Sequence, residues 1–269
     1  MLFNFSTKRT NSMYRHRNSL IGITLFILLF FASCGVPEIP VYIEGELIPV
    51  DQEHIGEKDQ AVDSIIAIYR ETLEEEMEVV LAHSAQRLER GTPEGLLNNF
   101  VADLIMKQGQ DLYIPDDGRP IDFTLLNYGG LRAPLPEGPV TRANIFELMP
   151  FENEMLVLTL TPESTREAFE YLAQANVGMP VSGIELVVTD DQVDEVYIQG
   201  EPFDDSRNYK VLTSDYLAGG GDDMRFFLDA IEEEVLGKRI RDAIIAHVIA
   251  LDERGEKINS ELDGRIRMK

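Results

Sequence analysis

The sequence predicts an α+β fold, a single domain in which a mixed β-sheet is flanked by helices. Three observations carry this expectation. Apolar residues recur at three- and four-residue spacing in some stretches and form short apolar runs in others, so helices and strands are both present. The two kinds do not alternate strictly as βαβ units. No internal repeat and no second linker divides the chain after residue 60. Roughly 190 residues with an apolar side on every element can bury about two-thirds of their unfolded surface, so nothing requires a disulfide or a structural metal.

In chain order, residues 1–33 stand apart. They carry Lys8, Arg9, Arg15 and Arg17 without an acid, then an apolar run from Leu20 to Phe31, then Ala32-Ser33-Cys34-Gly35. A basic start, a short apolar stretch and small residues at a cleavage point describe a secretory signal peptide. The run is shorter than the roughly 20 residues that cross a bilayer. Cys34 is the single cysteine of the chain and has no partner for an internal disulfide. Phe31-Ala32-Ser33-Cys34 resembles a bacterial lipobox, which implies lipidation at Cys34, export and a lipid anchor in the cell envelope. Residues 34–59, with Pro37, Pro40 and Pro49 and no sustained period, read as a flexible tether.

Elements of the folded part follow. Val62, Ile65, Ile66, Tyr69, Leu73 and Met77 make an amphipathic helix. Val79 to Ala82 reads as a strand. Pro93 to Gln108 reads as a helix with Thr92 as N-cap and Pro93 at its first position. Asp122–Leu126 is a strand, Asn144–Leu148 a short helix stopped by Pro150, and Met155–Leu160 a buried strand. Thr161 caps a helix over Pro162–Ala175. Ile184–Thr189 and Glu195–Ile198 form hairpin strands, and Tyr209–Thr213 is another strand. A helix over Asp223–Ala230 and a long helix to about Leu251 complete the domain, 60–252, leaving 253–269 as a tail. The runs Glu74-Glu75-Glu76 and Glu232-Glu233-Glu234 read as solvated helix faces.

Charge narrows the partners. The whole chain has 24 Lys+Arg and 48 Asp+Glu. Loss of residues 1–33 removes four bases and no acid, leaving a formal charge of −28. Such a field repels polyanions, so nucleic acid is not an expected partner. Metal chemistry is not expected either. Beyond the signal only His54, His83 and His247 remain, each isolated, with no His-x-His or His-Glu-x-x-His pair. No Gly-x-Ser-x-Gly elbow appears, and Gly221 is followed by Asp222 rather than the Lys-Ser/Thr of a phosphate-binding loop.

Three segments suit ligand contact better than packing. Asn127-Tyr128-Gly129-Gly130-Leu131-Arg132 joins an amide, a Gly-Gly pair that permits close backbone approach, and an arginine fork that fits phosphate. Met149-Pro150-Phe151-Glu152-Asn153 sets Phe151 in a proline-stiffened turn. Asp215 to Asp222 places Tyr216 and Asp222 on either side of three glycines. Together they offer two aromatic faces for a planar base, a cation for phosphate, and a carboxylate for paired hydroxyls.

These three segments, in this order, resemble the C-terminal domain of the 5′-nucleotidase family. The likeness runs from about Val79 to Phe227 and includes the turn Val181-Ser182-Gly183. It implies a nucleotide- or nucleoside-binding domain serving nucleotide catabolism. The base would lie between Phe151 and Tyr216, with Asn127, Gly129, Gly130 and Arg132 as further substrate contacts and Asp222 on the ribose. Tyr216 stands where the family often has Phe. The family's enzymes also carry a two-metal phosphatase domain, for which only some 25 tether residues precede the domain here. The resemblance therefore implies the substrate-binding half of a split enzyme, with divalent metals and hydrolysis supplied by a separate metallophosphatase chain. It leaves open whether Arg87 or Arg90 supplies a second cation for phosphate. The alternative expectation is a structural or ligand-scavenging lipoprotein that retains the fold.

Overall fold

A computed structural model describes residues 59–269. The expected signal peptide, Cys34 and all but the last residue of the tether lie outside the described residues. The order of elements is α1 (Gln60–Met77), β1 (Val80–Ser84), α2 (Leu96–Leu112), β2 (Phe123–Leu125), β3 (Gly138–Thr141), α3 (Arg142–Leu148), β4 (Glu154–Leu160) and α4 (Pro162–Gln174). Then come β5 (Val181–Ser182), β6 (Ile184–Thr189), β7 (Gln192–Ile198), β8 (Glu201–Pro202), β9 (Tyr209–Ser214), α5 (Asp215–Ala218), β10 (Glu232–Arg239), α6 (Ile240–Glu253) and β11 (Ile266–Met268).

A five-stranded sheet in the order β10-β4-β9-β2-β5 forms the centre. The pair β2–β9 is parallel and its other pairs are antiparallel, so the sheet is mixed. Both of its faces are covered. Met155 and Val157 of β4 point into one core with Leu97, Val101 and Ile105 of α2 and Ala243, Ile244 and Val248 of α6. Leu156, Leu158 and Leu160 point into the other, with Phe169 and Leu172 of α4 and Ile184, Leu186 and Val188 of β6. This is why β4 reads as a continuous apolar run instead of an alternation. A second sheet, β11-β6-β7-β8, and the pair β1–β3 complete the α+β architecture.

Local chemistry explains most boundaries. The Thr141 hydroxyl accepts from the Asn144 N–H while the Asn144 side chain accepts from the Thr141 N–H, a reciprocal cap for α3. Thr161 caps α4 with Pro162 in the first turn.

Five expectations are corrected. The helix after Pro93 begins only at Leu96, with Gly95 as N-cap, and the Thr92 hydroxyl accepts from the Gly178 N–H and not from a helix N–H. Asp223–Ala230 is not an α-helix. Asp222 and Asp223 both adopt left-handed backbone, φ 51° and 62°, and only 3-10 turns follow. Residues 232–239 are a strand, not part of a long helix. The open edge of β4 captures them in an antiparallel ladder, and Gly237, φ 66°, breaks the register in a bulge that a helix cannot contain. The acids Glu232–Glu234 therefore lie on a sheet edge, where charge discourages further pairing. The tail is not free, since Ile266–Met268 add a parallel strand to β6. Finally, α1 forms, but Val62, Ile65, Ile66, Tyr69 and Leu73 remain exposed, its apolar stripe uncovered by other described residues.

The buried Arg265 fastens this C-terminal segment. Its guanidinium donates to both carboxylate oxygens of Asp103 at 2.8 and 3.0 Å, to both of Asp263 at 2.9 and 2.7 Å, and to the Val181 carbonyl at 2.7 Å.

Candidate functional site

The sheet topology brings the three ligand-suited segments to one end. Asn127 follows the C-terminal end of β2, and Tyr216 follows that of the parallel neighbour β9. Strand β4 runs the other way, Met155 facing Ser214, so the segment that enters it, Phe151–Asn153, lies at the same end. The crevice beyond the carboxyl ends of parallel strands is the common ligand position in open sheets.

Each side chain is placed by its local backbone. The Gly130 N–H donates to the Asn127 carbonyl at 3.2 Å and that of Leu131 to the Tyr128 carbonyl at 3.3 Å, closing a 3-10 turn. The Arg132 N–H donates to the Leu148 carbonyl at 2.8 Å, tying this turn to the end of α3. A Cβ on Gly130 would lie 2.7 Å from Asn127 Oδ1, so a larger residue there would displace the Asn127 side chain. Phe151 projects from the loop after α3 with 40% of its surface exposed. Its carbonyl accepts from Arg241 at 3.3 Å, and the same guanidinium donates to Glu152 at 2.8 Å and lies 4.3 Å over the Phe146 ring. The hydrogen bond from Arg241, then the charge of Arg239, holds the Glu152 carboxyl below its ordinary range.

Ser214 ends β9 and caps α5, which presents Tyr216 with 47% of its surface exposed. The chain then turns back through Gly220, φ 83°, and the Tyr216 ring comes down on Gly221. The Tyr216 hydroxyl donates to Asp222 Oδ1 at 2.7 Å and accepts from the Asp222 N–H at 3.2 Å. Asn127 Nδ2 donates to Asp222 Oδ2 at 2.7 Å, joining the first segment to the third.

All seven residues singled out in the folded part, Asn127, Gly129, Gly130, Arg132, Phe151, Tyr216 and Asp222, line one open cavity of about 330 Å³, together with Asn153. Neither exposed ring stacks on another aromatic ring among the described residues. Arg132 is exposed and makes no ion pair among them. It also borders a second depression of about 220 Å³ with Arg90, whose guanidinium sits 4.2 Å over the Tyr128 ring and donates to the Tyr128 carbonyl at 3.2 Å. Arg87 is paired with Glu89 instead, so of the two candidates only Arg90 stands beside Arg132.

Two larger cavities, each of about 490 Å³, flank Arg265, and a third of about 430 Å³ lies by Lys210. Size does not make them better sites. Arg265 is saturated by Asp103, Asp263 and Val181, and buried Lys210 is held by the Tyr113 hydroxyl at 2.6 Å and Asp117 at 2.9 Å. The 330 Å³ cavity alone among these four combines two exposed rings with an arginine that makes no ion pair among the described residues and donates only to the Gly129 carbonyl at 3.5 Å. Among the described residues, no three His, Cys, Asp or Glu side chains converge as a metal would require, and no helix is long and apolar enough to cross a membrane.

Sequence reading missed two contributors. Arg241 lies ninety positions from the carbonyl it holds, and Tyr171 on α4 donates its hydroxyl to the Asp222 carbonyl at 3.0 Å. Each sits in an ordinary helical pattern, so nothing local marks it.

The family model for the 5′-nucleotidase, C-terminal domain, matches residues 75–229. The trifunctional nucleotide phosphoesterase protein YfkN of Bacillus subtilis is 28% identical over 240 residues, covering 82% of this chain and 16% of the relative. The cell wall protein Lmo0130 of Listeria monocytogenes is 30% identical over 153 residues, covering 51% and 19%. The crystal structure of a 5′-nucleotidase precursor from Thermus thermophilus superposes with a TM-score of 0.65 at 22% identity, covering 77% of this chain and 43% of that one. The chain thus spans less than half the length of each of these proteins.

Proposed function

The chain belongs to the 5′-nucleotidase C-terminal domain family, and from that membership we propose that it binds a nucleotide or nucleoside in the 330 Å³ cavity. In this reading a base stacks between Phe151 and Tyr216, where each ring contributes through its polarisable face and water is expelled from surface now exposed. Asp222 accepts from ribose hydroxyls. Arg132, with Arg90 beside it, receives phosphate oxygens, offering local donors that overcome the repulsion of an acidic chain. Asn127, Gly129 and Gly130 let the backbone approach the ligand closely.

Phosphate-ester hydrolysis is assigned to a separate metallophosphatase chain carrying the divalent metals and the attacking water. The complex would act in nucleotide catabolism at the cell envelope, where lipid on Cys34 anchors this half.

One observation carries the reading. Two half-exposed rings, an exposed arginine without an ion pair among the described residues, and a carboxylate, from three separate segments of the sequence, line a single cavity. Calorimetry with adenosine, AMP and UDP-glucose tests it. Binding to at least one of them is expected, and silence at millimolar ligand, with and without a metallophosphatase partner, rejects it.

A further inference from the structure

Asp222 is held in an unusual way. Its backbone is left-handed at φ 51° and ψ 31°, and Asp223 follows at φ 62°. Aspartate tolerates this region better than most residues, but two in succession persist only when the surroundings impose them. Residues outside the turn supply that constraint at four points. The Tyr216 hydroxyl engages both the N–H and Oδ1 of Asp222, Asn127 engages Oδ2, and the Tyr171 hydroxyl donates to the carbonyl. Tyr171 is itself fixed, since its ring packs edge-on against buried Phe226 at 5.7 Å. Tyr171 does not line the cavity, whereas the Asp222 carboxylate does.

We infer that the phenols of Tyr171 and Tyr216 are positioning groups that hold Asp222 in its strained turn, so that the carboxylate stands ready for a cis-diol of the ligand. This rests on the nucleoside reading above and adds to it the means by which the ribose is selected. The cost of ordering Asp222 is met when the chain folds, so it is not charged against ligand binding. Each carboxylate oxygen has two lone-pair sites, so one accepts the internal bond and one remains for a ligand hydroxyl. A phenylalanine at 216 would stack equally well yet lose both contacts to Asp222. Both phenols stay protonated at neutral pH. Burial, then the negative charge of Asp222 and Asp223, raises Tyr171, and the hydrogen bond to Asp222 raises Tyr216.

The test compares adenosine with 2′,3′-dideoxyadenosine by calorimetry on the wild type, Tyr171→Phe, Tyr216→Phe and the double variant. The wild type is expected to favour adenosine by about tenfold or more, the effect of hydrogen bonds to a charged acceptor. Tyr171→Phe should weaken adenosine about threefold or more while leaving dideoxyadenosine unchanged. The double variant should bring the two ligands within about threefold. Melting curves keep a loss of fold from imitating this result, because only the ratio between ligands reports on the diol. A preserved ratio in the double variant, or tighter adenosine binding by Tyr216→Phe, overturns the inference and leaves the nucleoside reading standing. So does a wild type that binds both ligands equally. A wild type that binds neither rejects both.

Discussion

Replacing Gly221 by alanine should cost ligand affinity and stability together. An added Cβ would sit 2.5 Å from two carbons of the Tyr216 ring and 2.6 Å from the Tyr216 carbonyl oxygen. Non-bonded carbons settle at about 3.5–4.0 Å, so the ring edge must retreat by roughly 1 Å. That movement stretches the 2.7 Å hydrogen bond to Asp222 beyond useful length and turns the ring from the cavity. Because Tyr216 is about half exposed, the ring has solvent to move into, whereas its carbonyl is fixed in the backbone of the turn. Overpacking costs about 1–3 kcal/mol where neighbours cannot yield, and Gly221→Ala should lower stability by about that much because the Tyr216 carbonyl cannot retreat as the ring can. Gly178→Ala is the comparison at a position that does not line the cavity. Its Cβ would meet the Gly91 and Pro93 carbonyl oxygens at 2.3 and 2.6 Å, backbone atoms that have nowhere to go. It should cost about 3 kcal/mol. Thermal melts and adenosine calorimetry on both variants decide the matter. Adenosine affinity in Gly221→Ala should fall about 5- to 100-fold, the range for losing one stacked ring. Wild-type affinity in that variant would refute the claim that the ring's seat on Gly221 shapes the site.

Three further outcomes are expected. Phe151→Ala should weaken adenosine by a comparable about 5- to 100-fold with little change in the melting curve, because the ring is exposed and supports no core; equal affinity would remove Phe151 from the site. Arg265→Met should lower stability in urea by about 2–3 kcal/mol, less than for a fully buried ion pair because Asp103 and Asp263 keep access to water; an unchanged midpoint would show that the C-terminal strand is not fastened there. Burial, with Arg254 and Lys107 nearby, lowers the His247 pKa, so the folded state resists its protonation. Stability should be full above the ordinary pKa of about 6.5 and decline as pH falls below it, and His247→Gln should flatten that decline.

Much of this fold is legible where local chemistry and tertiary demand agree. Thr141 and Thr161 cap the helices that follow them, and the apolar run of β4 is continuous because both faces of its sheet are buried. Sequence reading fails where a distant partner decides. Glu232–Glu234 favour a helix by local propensity, yet the free edge of β4 makes them a strand. Thr92 has the chemistry of a cap, yet Gly178 takes its hydroxyl. The cavity is legible because its glycines, rings and charges are locally out of place in a core. Its supports are not, because Arg241 and Tyr171 differ from ordinary helical residues only in what they touch.

A crystal structure of residues 59–269 with adenosine bound tests the central claim most directly. The purine should lie sandwiched between the Phe151 and Tyr216 rings, with ribose hydroxyls on the Asp222 carboxylate. Adenosine bound elsewhere, with both rings bare, would contradict it.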